Sequence, residues 1–135
     1  MLKKVAVWMV AVAALFGEVH WQPDYERARA VAEETHRPIM VLMVSRTCRW
    51  CRRLERRTLE NPMVGDYVNA HFVAVKVYRG ESDYPETLYA TVVPTTFFLA
   101  PDGEPLRLVV EGYEEPSEFL DSLKVAKELF EKTGR

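Results

Sequence analysis

Cys48 and Cys51 are the only cysteines in the chain, with two residues between them, in the stretch SRTCRWCRRLERR at positions 45–57. Six arginines share those thirteen residues. A cysteine pair so spaced can clip a metal, staple a loop or act as a reactive dithiol. A zinc site usually needs four ligands, and His20, His36 and His71 supply neither a spaced pair nor a second Cys-x-x-Cys to complete one. Covalent haem attachment needs a histidine directly after the second cysteine, where Arg52 stands. A purely structural staple over so short a loop removes little unfolded-state entropy.

The reactive reading fits the surroundings. Cys48 falls where an apolar run ends and a helical pattern begins, so unpaired helix N–H groups and the helix dipole favour negative charge on its sulfur. Arg46 and Arg49 are nearest in sequence, with Arg52 and Arg53 beyond, and all four add positive charge. Both effects lower a thiol's pKa, and the thiolate is the nucleophile in disulfide exchange. Cys51, one turn further in, is within reach to resolve a mixed disulfide formed at Cys48. Trp50 reads as part of a partner-docking surface, whereas Arg56 and Arg57 read as a solvated helix face.

The elements that must hold this motif are legible around it. At 135 residues, 48% hydrophobic and 28% charged, the chain has the size and balance of one globular domain. A net charge of −2 gives no global basic field, so no nucleic-acid partner is expected. Residues 1–17 differ from the rest: Lys3 and Lys4 precede an apolar run of twelve residues, Val5 to Phe16. That run is short for a membrane span of about 20 residues and matches a signal peptide, cleaved or retained as an anchor. Residues 18–135 form the expected domain. Export implies an oxidising compartment, in keeping with an even number of cysteines.

Asp24 can cap a helix running to Pro38, and the continuous apolar run Ile39–Val44 suits a strand buried on both faces. From Cys48 to Glu60 the pattern is helical, with Cys51, Leu54 and Thr58 on one face. A second short helix begins near Pro62, a strand covers Phe72–Tyr78, and a loop with a short helical turn follows. A strand from Pro94, a PDGEP turn and LRLVVEG make a hairpin. Pro116 opens a final helix with Phe119, Leu120, Leu123, Ala126 and Phe130 on its apolar face. Strands alternating with helices and closing on a hairpin predict a layered α/β domain around a mixed sheet.

The CxxC after a buried strand, the downstream YATVVPTTFFLAPDGEP and the closing EGYEEPSEFLDSL resemble the thioredoxin superfamily over about residues 19–132. The stretch from VHWQPDY to HFVAVKV is similar to periplasmic thioredoxin-like proteins and to the C-terminal domain of transmembrane thiol–disulfide interchange reductases. The resemblance implies a thioredoxin-like fold with a mixed sheet of four to five strands flanked by helices. It implies that Cys48 attacks and Cys51 resolves, that Pro94 is a cis-proline facing the dithiol, and that the Val93 backbone pairs with bound peptide. Gly112 matches a glycine that lets substrate approach. It implies an exported thiol–disulfide oxidoreductase, monomeric and without cofactor or metal, that exchanges disulfides with protein substrates and is re-reduced by a membrane electron donor. A non-catalytic binding or chaperone module with an inert disulfide is the alternative.

One departure stands out. Thioredoxins proper carry an acid six residues before the first cysteine, and this chain has Leu42 there. Cys51 thus lacks its usual proton acceptor, and slow resolution near neutral pH is expected. Lys76 is the nearest match to a buried lysine of the family, and it or a water is the next candidate acceptor.

Overall fold

The computed structural model describes residues 17–134, so the expected leader lies outside the described residues up to position 16. Five strands, β1 (Trp21–Gln22), β2 (Ile39–Val44), β3 (Val73–Tyr78), β4 (Thr95–Leu99) and β5 (Pro105–Glu111), form one sheet in the order β1-β3-β2-β4-β5. β1 and β2 run parallel to β3, and β4 runs antiparallel to β2 and β5. The sheet is therefore mixed and five-stranded, as expected. No helix among the described residues is long and apolar enough to cross a membrane.

Period-two alternation along β2 divides the core. Ile39, Val41 and Met43 face helix α1 (Tyr25–Thr35) through Ala28 and Ala32. Met40, Leu42 and Val44 face the opposite side, with α2 (Arg49–Arg53), α3 (Pro62–His71) and α4 (Pro116–Thr133). All six β2 residues are buried, so the strand has no solvent face and the chain must leave it at the sheet's end. Asp24 caps α1 by accepting from the Arg27 N–H at 2.8 Å. Asn61 caps α3 by accepting from the Met63 N–H. Phe119, Leu123, Ala126 and Phe130 of α4 close the second core.

Two details depart from the sequence reading and a third refines it. Trp21–Gln22, for which the sequence shows no strand pattern, is a short strand paired with Ala74 and Val75 of β3. The helix after Cys48 is not uniform: five α-helical residues give way to a π-helical turn over Leu54–Leu59, which buries both Thr58 and Leu59. Between β3 and β4 the expected helical turn is a single hydrogen-bonded one, the Leu88 N–H donating to the Pro85 carbonyl at 2.9 Å, with no longer helix. That segment is held by side chains bonded to its backbone, with the Gly80 N–H donating to Tyr84 Oη and the Arg79 guanidinium donating to the Ala90 and Thr91 carbonyls.

The start of the domain is bolted to α3. Gly17, grouped with the leader on sequence grounds, is buried, and its N–H donates to Asp66 Oδ1 at 2.7 Å. Asn69 accepts from the His20 N–H and donates to the Glu18 carbonyl. Gly65 lets the two backbones meet, because a Cβ there would run into the Gly17 carbonyl. Alanine raises helix propensity over glycine by about 1 kcal/mol, but overpacking against backbone costs about 1–3 kcal/mol. Gly65→Ala should therefore lower unfolding stability in urea by about 1 kcal/mol or more, and an unchanged or higher midpoint would contradict this packing.

Candidate functional site

The end of β2 delivers the chain into α2 through a short turn, and Cys48 occupies the N-cap of that helix. Its backbone is extended, and its Sγ accepts from the Cys51 N–H at 3.1 Å, as an N-cap side chain does. A disulfide joins Cys48 to Cys51. The two sulfurs have unequal surroundings. Cys51 is 1% exposed and packs in the core with Leu42, Leu54 and Phe119, whereas Cys48 sits half-buried at the rim. An incoming nucleophile or disulfide therefore meets Cys48 first.

Opposite Cys48 lies the turn that opens β4. Cys48 Sγ is 3.6 Å from the Val93 carbonyl oxygen, and the Val93–Pro94 peptide bond is cis. The Pro94 carbonyl accepts from the Gly112 N–H at 2.7 Å, tying the β4 start to the end of β5. Gly112 has φ 82°, a left-handed conformation that glycine adopts without strain, and a side chain there would point into open space. Trp50, Val93, Pro94, Gly112 and Tyr113 line an open groove of about 360 Å³ beside the dithiol. The Trp50 and Tyr113 rings are 5.8 Å apart, and the Arg53 guanidinium lies 5.5 Å and 5.3 Å from their centres. Thr58, from the π-helical turn, donates to the Glu114 carbonyl at 2.6 Å and so fixes the loop that carries Tyr113.

A second, smaller cleft of about 170 Å³ lies on the other side of Cys51, lined by residues that include Ser45, Arg46, Arg52, Glu55 and Tyr78. Glu55 accepts from Lys76 Nζ at 2.8 Å, and both side chains are about one-third exposed or less. Burial alone would lower the Lys76 pKa, but the hydrogen bond and charge of Glu55, with a smaller contribution from Tyr78, raise it overall. Lys76 therefore stays protonated at neutral pH and is no proton acceptor. It stands in register beside Leu42, so the strand position that lacks an acid borders an ion pair whose carboxylate comes from the helix.

The structure thus gathers Cys48, Cys51, Trp50, Val93, Pro94 and Gly112 in one place. Arg49 is exposed next to Cys48 with no ion-pair partner among the described residues. Arg46 is turned to Glu81 at 3.0 Å and stacks over Tyr78, so part of its charge is balanced there. Glu55 and Tyr113 were not singled out in the sequence. Glu55 lies four residues after Cys51, a spacing that puts it on the same helix face, while nothing local marks Tyr113. Among the described residues no group of three or more His, Cys, Asp or Glu side chains is placed to hold a metal ion.

Comparison with known proteins agrees with this geometry. The model of the family Thioredox_DsbH, described as a protein of unknown function, DUF255, matches residues 13–121. An uncharacterized protein of Caenorhabditis elegans is 31% identical over 65% of this chain, which spans only 13% of that protein. A thioredoxin from Thermus thermophilus superposes with a TM-score of 0.73 at 25% identity, covering 87% of this chain and 94% of its own. A DsbH oxidoreductase superposes with a TM-score of 0.69 at 18% identity, covering 83% and 86%. Fold, family and a disulfide-bonded CxxC together support a thiol–disulfide redox function.

Proposed function

The chain belongs to the Thioredox_DsbH family and to the thioredoxin superfamily, and from that premise we propose that it is a thiol–disulfide oxidoreductase acting on protein disulfides. The observation that carries the reading is the unequal burial of the two sulfurs: Cys48 at the rim beside a groove, and Cys51 1% exposed in the core. In the reduced protein the Cys48 thiolate attacks one sulfur of a substrate disulfide. That S–S bond breaks, and the other substrate sulfur leaves as a thiolate that takes a proton. Cys51, deprotonated, then attacks Cys48 Sγ, releasing the second substrate thiol and forming the Cys48–Cys51 disulfide. Two electrons pass from enzyme to substrate, with one proton supplied by Cys51 and the other by solvent, and no cofactor enters the cycle. A membrane electron-transfer protein returns the dithiol to its reduced form, and the enzyme works as a monomer.

Backbone pairing at Val93, apolar contact with Trp50 and Pro94, and the open face at Gly112 would hold the substrate strand against Cys48. Arg49 supplies the positive charge that favours the Cys48 thiolate, with Arg46 contributing less because Glu81 shares its charge. The step left without an acceptor by Leu42 is assigned to Glu55, which lines the same cleft as Cys51 and is oriented by Lys76. It takes the Cys51 proton directly or through one water. The signal-like leader, Lys3 and Lys4 followed by Val5–Phe16, supports export to the periplasm or another oxidising compartment.

Three outcomes are expected. Cys51→Ser should accumulate mixed disulfides with partner proteins on non-reducing gels and Cys48→Ser should not; equal accumulation would reject the assigned roles, and accumulation by neither would favour a binding module with an inert disulfide. Glu55→Gln should slow resolution of a preformed mixed disulfide by about a hundredfold while slowing the first attack far less. Resolution at the wild-type rate would remove Glu55 from the mechanism. A fusion of residues 1–25 to a reporter active only outside the cytoplasm should be active, and a stable but inactive fusion would refute export.

A further inference from the structure

The arginines of α2 are more numerous than the fold can use. Arg49, Arg52 and Arg53 are all exposed, and on a helix three- and four-residue spacings put like charges side by side, where they repel. The carboxylates nearby are already engaged: Glu81 with Arg46, Glu55 with Lys76, and Glu115 with Arg57. Arg49, Arg52 and Arg53 have no ion-pair partner among the described residues. This local surplus stands on a chain whose net charge is −2.

Its placement is specific. Arg53 is stacked against Trp50 and Tyr113, two residues that line the groove. Arg52 lines the cleft on the other side of Cys51. The dithiol is therefore bracketed by guanidinium groups whose surplus no carboxylate among the described residues balances. The carboxylates of the facing wall, Glu111 and Glu114, flank Gly112 and Tyr113 in the chain, and Glu114 is bonded to Ser122. The positive side of the groove is thus the α2 side. A partner that lays an apolar, disulfide-bearing strand on Trp50 and Pro94 meets these arginines with its flanking residues. Guanidinium groups bind carboxylates with two parallel hydrogen bonds, and an acidic partner would relieve the repulsion within α2.

Resting on the exchange reading, we propose that this site selects acidic targets: protein segments whose disulfide cysteines are flanked by Asp or Glu, held by Arg49, Arg52 and Arg53. Charge complementarity of this kind acts mainly on encounter rate and specificity, and it weakens with salt.

The test uses the reduced full chain and two peptide disulfides identical except that Asp and Glu flank the cysteines in one and Lys in the other, followed by Trp fluorescence in stopped flow. The acidic peptide should react about tenfold faster or more at low ionic strength. The ratio should fall toward one at high salt and invert in Arg49→Glu/Arg52→Glu. Any change in Cys48 reactivity scales both rates and leaves the ratio untouched, so a ratio near one at low salt overturns the proposal. If neither peptide is reduced, the exchange reading fails, and titration of the oxidised protein with the same peptides still decides. Tighter binding of the acidic peptide sustains the selectivity, and equal binding ends it. Equal peptide rates together with pelleting on phosphatidylglycerol vesicles would assign the arginines to an anionic membrane surface and overturn the acidic-target proposal.

Discussion

Cys51 is packed into the same core as Leu42, Leu54 and Phe119, and this anchoring orients everything at the dithiol. With Cys51 locked inward, the helical period leaves Cys48 at the N-cap, facing the turn that begins β4. β2 has no solvent-facing side, so the chain can emerge only at the end of the sheet, where Val93–Pro94 and Gly112 also arrive. A difference of three positions along one helix thus becomes a difference in exposure: one sulfur stands at the rim, the other in the core.

The second consequence of this packing is electrostatic. A carboxylate in place of Leu42 would stand in the middle of the core, where its burial is costly unless paired. The carboxylate that lines the cleft with Cys51 comes instead from the helix, one turn past it, and is paired with Lys76 from β3. The ion pair is partly exposed, so it contributes little to stability. Its interest lies in where it puts a carboxylate. The surplus arginines follow the opposite logic: they repel one another in the folded chain, a cost that the Cys48 thiolate and the proposed acidic partner would offset.

Much of this was legible beforehand, and the parts that were not share a physical reason. The β2 run, the amphipathic α4 and the Asp24 cap each carry their signal within a few residues, through period or hydrogen-bonding chemistry, and each forms as expected. β1 carries no such signal. Two residues become a strand only because β3, some fifty positions later, offers an edge for Trp21 and Gln22 to pair with. The π-helical turn over Leu54–Leu59, which buries Thr58 and Leu59, has no marker in the local sequence period. At the site, the cysteines, Pro94 and Gly112 were found through motif and resemblance. Glu55 was hidden among the arginines, because its meaning depends on Lys76 across the sheet, and Tyr113 because its partner Trp50 lies on a distant helix.

The central claim is that the dithiol turns over and is more than a bond that holds two residues together. Reduction of insulin in the presence of dithiothreitol, followed by the onset of turbidity, tests it most directly. The account predicts that catalytic amounts of the wild-type protein bring the onset forward severalfold, and that Cys48→Ser loses the effect. Wild-type protein that is fully folded yet no faster than dithiothreitol alone would contradict it.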